Sequence, residues 1–354
     1  MFAGCVSALA VALGTVGWLG WRRPADAPAL SSGPLAVVLL PDTSGSTLVV
    51  VDLLAGTVAR CVGLRSTVTD IAVDASSGLV VAAQAGGFGA DADRAASLTD
   101  ARSGAVRYVE LPYVDPGDVA CVGGQAFVQH AIVDTSGTVF SVVDIAAARV
   151  VAIGHVPGPP GLWTSAAGAV WATGEDAVGE PSLRRIDSRT AAVSAFALGG
   201  PSPTGLGETH GRPLVLAAND SGAPVATGRL AVIDPADGSR VASATVTGLA
   251  QSPRIAVQVG ERLVVGDWSG DEPEGRLLRV LDASTLRDLG ALPVEGIPCA
   301  LAAWEDRLLV VDRERGRLLV IDPASGRTLS AIGLGQEDFV FSDVVVVGEN
   351  SSGR

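Results

Sequence analysis

Lysine is absent from this 354-residue chain, so all 25 basic side chains are arginine, and 38 acidic residues leave a net charge of −13. A surface that neutralises phosphates needs clustered positive charge. Nucleic acid is therefore excluded as an expected partner. Cysteine is scarce as well: of four, Cys5 sits in an apolar N-terminal stretch and Cys61, Cys121 and Cys299 are scattered through the body. None has CxxC or other metal-ligand spacing, so neither a disulfide framework nor a zinc site is implied, and buried free thiols are expected. The three histidines, His130, His155 and His210, stand far apart. No Ser-His-Asp, Cys-His or HExxH arrangement is legible, so the usual nucleophilic and metalloprotease chemistries have no residues to run on.

What the chain has is length without charge at its start. Residues 2–21 carry no charged side chain, and their length matches the span of a bilayer core by a helix. Residues 1–23 thus read as a hydrophobic helix, a transmembrane segment or signal anchor that places the chain at a membrane. The alternative is cleavage near Ala27-Pro28-Ala29 followed by secretion. Residues 24–34, rich in Pro, Ala and Ser, read as a linker, and residues 349–354 as a tail.

Between them one unit recurs seven times at a spacing of about 45 residues. Its mark is an aspartate after an apolar strand: Asp52, Asp100, Asp144, Asp187, Asp234, Asp282 and Asp322. An Asp there hydrogen-bonds the backbone two residues on, and a Gly four residues later supplies a positive φ. Gly56, Gly104, Gly238 and Gly326 occupy that place. The aspartates are therefore turn residues, not catalytic ones. Two further strand-like runs separate consecutive hairpins, and four strands per unit make a propeller blade. The fold class is all-β, a seven-bladed β-propeller over residues 35–348. Its first blade lacks an innermost strand, and the surplus C-terminal run FSDVVVV is expected to supply it, which leaves no open sheet edge.

The stretch GRLAVIDPADGSRVASATV, followed by SPRIAVQVGERLVVGDW, resembles the YVTN or YncE-like propeller repeat. The tetrapeptide itself is degenerate here, as LVLAAND around Asn219 and LVVGDW around Asp267. The resemblance implies a seven-bladed propeller and, since known members are mostly exported bacterial proteins, the extracytoplasmic face of a bacterial cell. It transfers no activity. Quinoprotein repeats carry a docking Trp after the turn, and none of the six Trp stands there, so no quinone is expected.

Aligning the start of each innermost strand gives the ring Asp343, Asp70, Asp118, Gly161, Gly205, Arg254, Cys299. Loops entering these strands surround the channel mouth in this family's geometry. Asp70, Asp118 and Asp343 then fall on consecutive blades and face Arg254. Three converging carboxylates suit a hard cation such as Ca²⁺, and their crowding raises at least one pKa; the competing expectation is that each Asp caps a loop. Trp163 and Trp268 are candidate ligand platforms. Acidic residues in the loops of the same face (Asp91, Asp93, Glu175, Asp176, Glu180, Asp271, Glu272, Glu274) predict an acidic rim. The expected function is a non-catalytic, membrane-anchored propeller that binds a partner protein or small ligand on that face. The alternative is a metal-dependent hydrolase or lyase of the propeller lactonase kind.

Overall fold

Runs such as LAVVLL (35–40) and LVVV (48–51) are apolar at every position, which suits strands covered on both faces. In the computed structural model of the chain they lie in the middle of the blades. The structure describes residues 30, 32–42, 45–85, 93–134, 137–159, 161–175, 179–218, 227–247, 253–267, 277–337, 339 and 342–348. The expected N-terminal helix, Trp268, Asp91, Asp176, Asp271, Glu272 and Glu274 lie outside them. Among the described residues no helix is long and apolar enough to cross a membrane.

Among the described residues, twenty-eight strands form seven four-stranded antiparallel sheets. The third blade shows the plan, with β8 (Pro116–Val122) innermost, then β9 (Gln125–Asp134), β10 (Gly137–Asp144) and β11 (Arg149–Val156) at the rim. β10 is buried almost throughout, whereas β11 alternates between exposed and half-buried positions. Neighbouring blades cover the first on both faces, and the rim strand meets solvent on one. Seven apolar clusters result, one at each blade interface.

Ring closure follows the expected route. β1 (Leu35–Asp42) pairs outward with β2 (Gly45–Asp52) and inward with β28 (Asp343–Val347), in a register running from Leu35 opposite Val347 to Leu39 opposite Asp343. β3 (Thr57–Gly63) completes the blade. The apolar cluster between the last and first blades joins Trp304 and Leu318 to Val49 and Val344. Leu30 packs on the next cluster and the Gly33 carbonyl accepts from Arg102 Nη2 at 2.9 Å, so the end of the expected linker is docked on the ring.

All seven repeated aspartates make the turns expected of them. Asp52 Oδ1, for example, accepts from the N–H groups of Leu54 and Ala55, and Asp282 Oδ1 from those of Ser284 and Thr285. The fourth residue after each has a positive φ, including Ala148, Ala191 and Leu286 where glycine is missing. The turn geometry overrides the residue preference in those three units.

One expectation about the thiols fails. Cys299 is buried and Cys121 half-buried, but Cys61 is exposed because it lies on β3, a rim strand whose alternate side chains face water. No disulfide joins the three.

Candidate ligand site at the channel mouth

The innermost strands β4 (Val68–Val73), β8, β12 (Trp163–Ala166), β16 (Pro203–Thr209), β20 (Pro253–Val259), β24 (Pro298–Trp304) and β28 surround the axis. Several begin with a bulge, where one or two residues stand out of register with the next strand outward in the same blade. That bulge corrects the ring read from sequence. Pairing makes Leu162, Gly205, Ile255 and Ala300 the equivalents of Asp70 and Asp118, with Gly161, Arg254 and Cys299 one residue earlier. A one-residue slip exchanges the faces of a strand, so position alone no longer sets Arg254 opposite the carboxylates; its side chain lies outside the described residues.

Asp70, Asp118 and Asp343 do occupy equivalent places, and they are linked blade to blade. The Val119 N–H donates to Asp70 Oδ2 at 2.8 Å, and the Trp163 N–H to Asp118 Oδ2 at 3.0 Å. The Ile71 N–H likewise donates to Asp343, whose Oδ1 also accepts from the Val344 N–H at 2.7 Å. Each aspartate therefore clips its own strand to the next blade. The loop-capping role and the convergence expected of the trio are both present.

Convergence has an electrostatic cost. Burial holds the Asp70 carboxyl well above the usual carboxylate range, and the charges of Asp343 and Asp118 push it further. Burial also raises Asp343, against the lowering effect of the Val344 and Ile71 N–H groups and of its hydrogen bond with Asp70. Two carboxyls that hydrogen-bond each other need a proton between them, so Asp70 and Asp343 share one and titrate as a unit. Asp118 is raised to about 6, first by burial and then by Asp343, with the Trp163 N–H opposing.

Among the described residues no group of three or more His, Cys, Asp or Glu side chains is placed to hold a metal ion. The reason is local: each carboxylate spends an oxygen on a backbone N–H, and Asp70 and Asp343 meet each other through a proton.

Beside Asp118 the mouth widens into a cavity of about 480 Å³ between the third, fourth and fifth blades. Gly161 lines it and packs closely on the neighbouring strand, since a Cβ there would lie 2.1 Å from the Thr173 carbonyl oxygen. Gln129, on β9, borders the cavity and was not picked out from the sequence. Its only signal there is a polar residue inside the apolar run AFVQH. Trp163 contributes its backbone and not its ring: the indole is buried edge-on to Phe140 at 5.6 Å in the cluster between blades three and four. As an expected ligand platform it is therefore misplaced, because the bulky ring fills the blade interface.

Of the acidic rim, Glu175 lines the cavity and Glu180 is exposed. Asp93 is engaged by Arg65 in a two-point ion pair at 2.9 Å and by the Ser66 hydroxyl. Among the described residues a Ser–His contact is present, His130 Nε2 to Ser141 Oγ at 2.8 Å, but both residues are fully buried. Burial lowers His130 to about 4, so it is a neutral packing element.

The sequence matches no family model and no curated protein. Solved structures match over nearly the whole ring. A functionally unknown protein from Desulfotomaculum acetoxidans is 12% identical with a TM-score of 0.65, covering 88% of this chain and 99% of that one. A putative 6-phosphogluconolactonase from Bacteroides fragilis is 14% identical with a TM-score of 0.60, covering 90% and 99%. AztD from Citrobacter koseri is 12% identical with a TM-score of 0.57, covering 91% and 99%. At such identities the likeness shows the seven-bladed fold alone.

Proposed function

We propose that the protein is a non-catalytic binding propeller of the YVTN kind, tethered at the outer side of a bacterial cell envelope, that takes a small ligand at the carboxylate end of its channel. The observation that carries this reading is the placement of Asp118. It stands at the edge of a roomy cavity, is raised to about 6, and adjoins two further carboxyls from consecutive blades. Ligand sites are concave, of a few hundred cubic ångströms, with a few convergent polar groups of perturbed pKa. The apolar run at residues 2–21 supports the tether, and the repeat pattern supports the exported setting.

The test is a thermal-shift screen of the full chain against a broad library of metabolites and divalent metals, repeated on the Asp70→Asn, Asp118→Asn double variant. The reading expects at least one compound that stabilises the native protein and has lost most of that effect in the variant. A library that stabilises neither protein, or stabilises both equally, would refute it.

A further inference from the structure

The cavity's polar groups are of two kinds, and they stand next to each other. Asp118 gives one oxygen to the Trp163 N–H, which leaves its Oδ1 as an acceptor with no partner among the described residues. Gln129 is 3% exposed, and its Oε1 accepts from the Asp118 N–H at 3.4 Å. An N–H must face an acceptor, so this contact fixes which end of the carboxamide is oxygen. Nε2 is then a donor, buried and without a partner. An unsatisfied buried donor is costly unless something supplies the acceptor.

A ligand for this place must both accept from Gln129 and donate to Asp118. A hydroxyl does both with one oxygen, and a pair of neighbouring hydroxyls does so without strain. An ammonium satisfies Asp118 and leaves the Gln129 donor facing another donor. An anion meets Asp118 and Glu175 with the wrong sign. Around these groups Pro159, Leu162 and Pro203 offer C–H surface, and among the described residues no aromatic ring lines the cavity, whose volume of about 480 Å³ suits a molecule of one or two sugar rings.

We propose that the cavity between the third and fifth blades holds a neutral polyhydroxylated molecule of sugar-ring size, with adjacent hydroxyls bound between Asp118 Oδ1 and Gln129 Nε2. The proposal rests on the reading of the channel mouth as a binding site and names its ligand class.

Calorimetric titration of the full chain with glucose, mannose, galactose and inositol tests it, alongside 1,4-diaminobutane, gluconate and calcium chloride. At least one neutral probe should bind. Gln129→Met keeps the shape without the donor, and Asp118→Asn keeps an acceptor for the Trp163 N–H; each should weaken that binding by about tenfold or more, the worth of one charge-assisted or buried hydrogen bond. Circular dichroism confirms that each variant is folded, and Arg240→Gln, on the outer side of the fifth blade, should leave affinity unchanged. Silence of all four neutral probes overturns the proposal, as does neutral binding that both variants retain. Binding of only the diamine or calcium, lost in Asp118→Asn, also overturns it while leaving the mouth a binding site. That separates its failure from failure of the broader reading.

Discussion

Asp118 serves two purposes whose demands conflict. As a clip it must accept the Trp163 N–H, which any side-chain oxygen does; as a site residue it must keep a charge in a half-buried place near Asp343. The conflict fixes a sign. Its folded pKa of about 6 lies above the unfolded value of about 3.9, so the folded state binds more protons between those limits. Stability from this group is full below about pH 4 and falls as pH rises through about 6. Asparagine keeps the acceptor and removes the charge. Asp118→Asn is therefore expected to be more stable than the native protein at pH 8, by about 1–2 kcal/mol after allowing for solvent screening, and equal to it near pH 4. Urea melts at both pH values check this, and a variant less stable at pH 8 would show that the charge is not strained there.

The repeated hairpin turn is an element whose tolerance depends on what surrounds it. Gly104 and Gly238 both have a positive φ, so an alanine at either pays for a left-handed backbone, about 1 kcal/mol. Their neighbours differ. A Cβ at Gly104 meets the flexible end of Arg60, whereas one at Gly238 would lie 2.1 Å from the ring of Phe196, itself packed on Trp171. Gly104→Ala should cost about 1 kcal/mol and Gly238→Ala at least about 2 kcal/mol in denaturant unfolding. The reverse order would mean that Phe196 yields more readily than its packing implies. These turns were legible in the sequence because the Asp signal is local and repeats. The bulges that open the inner strands were not, since a bulge adds a residue without changing the apolar pattern. That is why Arg254 and Cys299 stand one place away from Ile255 and Ala300. Gln129 escaped for a related reason: its value comes from what faces it across strands, which no spacing along the chain reveals.

At the scale of the molecule, site and closure are one event. Asp343 enters from the last strand and Asp70 from the second blade, and they meet only because β28 pairs with β1. The two ends of the sequence predicted that closure, since one lacked a strand and the other had one to spare. The proton shared across the closed seam was not predictable, because it depends on burial and on a contact between separate blades. The most direct test is a pH titration of aspartate side-chain carboxyl ¹³C shifts in the native chain and in Asp343→Asn. Asp70 should titrate well above the usual carboxylate range in the native protein and move down toward that range in the variant, while staying raised by burial. An Asp70 midpoint that is ordinary from the start, or that does not respond to loss of Asp343, would contradict the account.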